Sequence, residues 1–167
     1  MTLALRRPMD RVIHSVVAIV LMLALGASLS AGVKAVRGVI WDAPSHAMSP
    51  ADTPAPATVE ALRRLTPSFA ALGNPVDLTP QCPPENFVEA IGAVFDDPGY
   101  DGAIVINCGL DIPEFGEGVV TAAARTGKPV TAYVLQTPRI EAALRDAGIP
   151  LLDSPERAVS AYAGGVP

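Results

Sequence analysis

A chain of 167 residues, half of them hydrophobic and only 17% charged, is long enough for one core-forming domain and too short for two substantial ones. Its net charge of −5 is unevenly spread: residues 1–50 hold five basic and two acidic side chains, a net +3, and the remainder seven and fifteen, a net −8. An acidic domain repels phosphate backbones, which excludes nucleic acid as the expected partner, and two cysteines, Cys82 and Cys108, make neither a disulfide framework nor a zinc spacing.

From Val12 to Val33 the chain carries no formal charge, with His14 its sole titratable side chain. The most apolar part, Val16 to Leu25, follows Arg6, Arg7 and Arg11 and precedes the small residues Ser28 and Ser30, the order of a signal-peptide core with a cut after Ser30. Residues 1–33 therefore read as a basic and apolar helical segment, signal- or anchor-like or foreign to the domain, with membrane attachment through 12–33 as one consequence. Residues 34–57 are a proline-rich linker without apolar periodicity, and the domain boundary falls there, leaving 58–167 as the folded part.

Val59, Leu62 and Leu65 mark one face of a short helix that Thr66-Pro67 stops. Prolines then hold Gly73 to Pro80 extended. Phe87, Ala90, Ile91, Val94 and Phe95 fall on one helical stripe, Asp97 to Gly102 turns the chain, and Ala103 to Ile106 reads as a strand covered on both faces. A helix from Ile112 follows, with Asp111 and Glu114 at capping-box spacing and Gly127 as its stop. The unit repeats as strand Val130–Leu135, helix Thr137–Pro138 to Gly148, strand Pro150–Leu152 and a helix opening at Ser154–Pro155. Alternation of this kind makes right-handed crossovers and a parallel sheet; the expected fold is a small, doubly wound, flavodoxin-like α/β domain.

In such sheets ligands lie at the carboxyl ends of the strands, so the candidate ligand loop is Asn107, Cys108 and Gly109, with Gln136-Thr137 and the Asn74 to Thr79 stretch beside it. Asp111 as the cap of the following helix would satisfy its free amides and repel phosphate, and Asp77 reads as a side chain holding its own turn. Cys108 reads as a small buried hydrophobe. His14 lies in the apolar run and His46 in the linker, so no histidine is placed as a base or phosphoryl carrier. No phosphate-binding glycine loop, nucleophilic triad or metal set occurs, so no residue is assigned a catalytic role.

The run Phe69 to Thr79, with Asn74, Pro75, Val76 and Asp77 as its most specific part, resembles the NDP-forming acyl-CoA synthetases, of the acetate–CoA ligase (ADP-forming) type. The likeness continues through Phe87 to Ala90, Asp96 to Pro98, Asp101 to Ile106, Gly127 to Val130, Ala147 to Pro150 and Ser154 to Val159. It implies the carboxy-terminal, succinyl-CoA-synthetase-like ligase domain of that family, with a reaction that interconverts acyl-CoA, phosphate and ADP with acid, CoA and ATP through a phosphohistidine. CoA, ATP or ADP, phosphate and magnesium are the family's cofactors, and none is expected to bind this chain alone. The family's domain opens with a strand, a glycine-rich turn and a phosphate-facing helix; here the apolar run and linker stand in that place, with Val36 to Trp41 as a stand-in for the strand. The resemblance thus implies a partial or degenerate ligase domain, cytoplasmic, inactive alone and completed by the remaining domains or subunits of a synthetase. The alternatives are a non-enzymatic anchored or exported module and an accessory subunit of a split ligase.

Overall fold

The computed structural model describes residues 16–22 and 53–163. The apolar run at the start of the chain is not helical where it is described: Val16–Met22 is a strand, β1. After it come α1 (Pro56–Leu65), a hairpin of two short strands, β2 (Ala71–Leu72) and β3 (Val76–Asp77), and α2 (Phe87–Phe95). Then follow β4 (Gly102–Cys108), α3 (Pro113–Thr126), β5 (Val130–Leu135), α4 (Pro138–Asp146) and α5 (Pro155–Ala163).

The five strands form one sheet in the order β2-β3-β1-β4-β5, parallel except for the β2–β3 hairpin. All of β1, from Val16 opposite Gly102 to Met22 opposite Cys108, runs beside β4, and its Ile19 and Val20 meet Val76 and Asp77 on the other side. This corrects the reading of 12–33 as a helix that precedes the domain. A seven-residue run rich in valine and isoleucine suits a strand with neighbours on both edges, and the sheet takes it from a segment assigned outside the 58–167 domain. Residues 12–15 and 23–33, the stand-in strand at 36–41 and most of the linker lie outside the described residues. The far end of the linker is part of the domain, since α1 begins at Pro56 and the Ala55 amide donates to Asp97 Oδ2 at 2.7 Å.

Side chains of β4 alternate between two cores. Ala103 and Val105 join Leu62, Phe87, Ile91, Phe115, Val119, Ile140 and Leu144 under α1 to α4. Ile104 and Ile106 face the other way, against Ala158 and Tyr162 of α5. Within the larger core Phe87 and Phe115 meet edge to face with centroids 5.9 Å apart, and α2 approaches α3 so closely that a Cβ on Gly118 would lie 3.1 Å from the Val88 backbone. Gly127 ends α3 at φ 67° and Gly148 follows α4 at φ 72°, as their positions predict. Pro150–Leu152 does not make a full strand: Leu151 forms one isolated bridge to Ala132.

Candidate functional site

Strand order places the site. From β1 the chain reaches β3 on one side and, by way of α2, β4 on the other, so the reversal of winding opens at the carboxyl end of β1, between the ends of β3 and β4. Asp77 lies opposite Val20 and Asn107 opposite Leu21. The two candidate loops therefore flank β1 at adjacent register positions, roughly 10 Å apart across two strand spacings.

The β3 side is closed on itself. Val76 is fully buried in the larger core, and the bond from Asn74 to Pro75 is cis. Asp77 Oδ1 accepts the Thr79 amide at 2.9 Å, and the Thr79 hydroxyl accepts the Gln81 amide, with Thr79 at φ 67°. Asp77 is half-buried, and desolvation pushes its carboxyl above the usual value although the Thr79 amide pulls it down. Beyond it Cys82 is buried, and desolvation with the neighbouring Glu85 carboxylate pushes its thiol up to about 11, so it stays protonated at neutral pH.

The β4 side is different. Asn107 is 0% exposed, and neither its amide nitrogen nor its amide oxygen has a hydrogen-bond partner. On the next strand end the Thr137 hydroxyl is likewise buried and unpartnered. A buried polar atom left unpaired costs about 1–3 kcal/mol, and here such atoms gather at the ends of two adjacent strands. Between them Cys108 is half-buried, its thiol pushed up by desolvation, and Gly109 turns the chain at φ 82° while its amide donates to Leu135 O at 2.8 Å. Gln136 holds φ 56°, a left-handed conformation unusual for a residue with a Cβ.

Asp111 does not cap the helix that follows it. The N-cap of α3 is Ile112, and no side chain bonds to that helix start. Asp111 instead crosses to α4, where its carboxylate accepts the amides of Arg139 and Ile140 and pairs with the Arg139 guanidinium at 3.0 Å. Desolvation raises its carboxyl, but the Arg139 side chain and these amides outweigh it and hold the group below the usual range. Even with Asp111 turned away, the start of α3 offers an oxyanion little: Pro113 has no N–H, the Phe115 amide donates to Ile112 O at 3.1 Å, and Glu114 in the first turn opposes a negative charge. Among the described residues no three His, Cys, Asp or Glu side chains gather as metal ligands. Both histidines, His14 and His46, lie outside the described residues.

Sequence reasoning placed the Asn107–Gly109 loop and Gln136-Thr137 together at the strand ends but gave no part to Arg139. The pairing of Thr137 with Pro138 reads as an ordinary cap and first helical residue, which hides a hydroxyl that caps nothing.

These features are those of a small α/β domain with a candidate ligand site at the carboxyl ends of its strands. No family model matches the chain. In an alignment of 117 positions that covers 64% of this chain, it is 32% identical to acetate–CoA ligase [ADP-forming] II subunit alpha of Pyrococcus furiosus, of which it spans 26%. The fold matches dinucleotide forming acetyl-coenzyme A synthetase 1 of Ca. Korarchaeum cryptofilum, solved alone and with phosphate and ADP, at a TM-score of 0.68 and 23% identity, covering 90% of this chain and 32% of that one. It also matches PH0766 of Pyrococcus horikoshii OT3 at a TM-score of 0.65 and 24% identity, over 90% of this chain and 34% of that one. The chain thus matches the ADP-forming acetate–CoA ligases as a partial, carboxy-terminal domain with the expected flavodoxin-like fold.

Proposed function

We propose that the chain serves as the ligand-holding domain of an ADP-forming acyl-CoA synthetase and has no turnover by itself. The observation that carries this reading is the clustering of unpartnered buried groups, Asn107 and Thr137, at the carboxyl ends of the strands beside the switch point. At the amino end of β4, by contrast, the buried Asp97 carboxylate accepts two backbone amides. Partial coverage of the longer relatives supports a role completed by other domains or subunits that carry CoA, nucleotide and a phosphohistidine. The synthetase reaction then depends on assembly, because phosphoryl transfer draws nearly all its rate from positioning and charge stabilisation.

Location follows from the same reading. The reaction's use of ATP and CoA supports a cytoplasmic protein, and the pairing of Val16–Met22 with β4 is in keeping with that reading. No helix among the described residues is long and apolar enough to cross a membrane.

The test is ADP- and phosphate-dependent cleavage of acetyl-CoA by the purified full chain, alone and with the separately expressed remaining domains of an acetate–CoA ligase. The expected result is no turnover alone and turnover above that of the added domains once both are present. Turnover by the chain alone overturns the reading, and so does a mixture no more active than the added domains.

A further inference from the structure

Helix α4 is capped from outside. Its N-cap residue is Thr137, a type whose hydroxyl ordinarily accepts the first free amides of a helix, yet that hydroxyl is 1% exposed and unpartnered at the helix start. A carboxylate from the preceding strand-end loop takes the amides instead. Asp111 Oδ1 accepts from Arg139 N at 3.1 Å and Ile140 N at 3.2 Å, and Oδ2 from Arg139 N at 3.3 Å and Arg139 Nε at 3.0 Å, while the Arg139 guanidinium also donates to the Asp111 carbonyl. Two successive helix amides and a guanidinium form a receptor for a free carboxylate or phosphate. In this chain the receptor is filled from within.

We propose that the start of α4 is an oxyanion site and that Asp111 is its internal, displaceable occupant. A small monocarboxylate or inorganic phosphate takes the place of the Asp111 carboxylate against Arg139 N, Ile140 N, the Arg139 guanidinium and the Thr137 hydroxyl. This rests on the reading of the strand ends as a ligand site. Three observations make the exchange possible. Asp111 arrives on a short loop through the exposed Gly109, outside any helix or strand, so releasing it disrupts no element. Its grip leaves the Thr137 hydroxyl unpaired, so an anion that also reaches this group satisfies one donor more than Asp111 does. The other acidic group in the first turn, Glu141, is drawn to Arg145 at 2.6 Å and leaves the positive field of Arg139 and the helix start uncancelled. Asp111 acts as a built-in competitor, and the site opens only when ligand concentration or a docking partner displaces it.

The experiment follows backbone amide chemical shifts of the full chain during titration with acetate and, separately, with phosphate. Asp111→Ala is expected to bind about tenfold or more tightly than the unaltered chain, since a competitor and a like charge are both removed, and the Arg139 and Ile140 amides should move. Asp111→Asn keeps an acceptor for the helix start and should show a smaller gain, so the idea stays testable if the alanine variant unfolds. Adding Arg139→Gln to either variant should remove the gain. A response to acetate alone identifies a monocarboxylate site, and a response to phosphate alone a phosphate site. Arg139 and Ile140 amides that stay still with both anions, in every folded Asp111 variant, overturn the proposal. If the Asn107 to Gly109 amides move in that same titration, the strand ends remain a ligand site and only the assignment to α4 falls.

Discussion

The two ends of β4 are built to opposite rules. At the amino end Asp97, 1% exposed, accepts the amides of Ala55 at 2.7 Å and Gly99 at 2.8 Å, and Lys128 Nζ donates to the carbonyls of Phe95 and Asp97 at 2.7 and 2.8 Å. Gly102 is packed so tightly that a Cβ there would lie 2.6 Å from Pro129 O and collide with the Tyr162 hydroxyl. At the carboxyl end, five residues on, Asn107 is as buried as Asp97 and bonds to nothing. A fold minimises unpaired buried groups wherever stability alone decides. Under the proposed function, the amino end serves stability and the carboxyl end serves ligand binding.

The strongest way to break that comparison is to remove one side chain at each end. Asp97→Ala leaves two backbone donors without their acceptor and frees the segment before α1 from the turn before β4, so stability should fall by about 3 kcal/mol and the melting temperature by about 10 °C. Asn107→Ala removes a group with no partner to lose. Relief of its desolvation opposes the small cavity, and the change should stay within about 1 kcal/mol. Paired thermal melts of the two variants check this. An Asn107 loss as large as that of Asp97 would show the amide to be structural and would erase the difference between the ends.

Much of the amino end and the helices was legible in sequence because the signals there are local. The stripe from Phe87 to Phe95, the stops at Gly127 and Gly148 and the unbroken run of β4 each report on their own neighbourhood. Ser154 does accept the Arg157 amide at 3.2 Å, as a serine before a helix-opening proline should. β1 was not legible, because a continuous apolar run has no period that separates a strand buried on both faces from an apolar helix. Its β-branched Val16, Val17, Ile19 and Val20 were the signal available, and the charge-free length of 12–33 outweighed it. The α4 site was hidden for a different reason. Capping rules are local, whereas Asp111 satisfies a helix 28 residues away, and whether Asn107 finds a partner depends on what the whole fold brings near it.

Asp77, at the carboxyl end of β3, sharpens the comparison because it lies at the site's level yet is paired as the amino end is. Its loop reading as a turn holder is what the structure shows, and its protonation makes a smaller, pH-dependent prediction. Desolvation raises its carboxyl above the usual value of about 3.9 despite the Thr79 amide. The folded chain therefore binds this proton more tightly than the unfolded chain. Between the ordinary value and the raised one the native state holds more proton, so stability falls as pH rises through that window and levels off above it. Asp77→Asn keeps an oxygen for the Thr79 amide and never ionises, so it should lack this loss. Relative to the unaltered chain, the asparagine variant should gain stability as pH is raised from about 3.9 through the raised value. Melts of both proteins across that range measure the difference directly. A gap that stays constant with pH would mean that Asp77 ionises without penalty, as a solvent-facing ligand group does, and would move β3 to the functional side of the comparison.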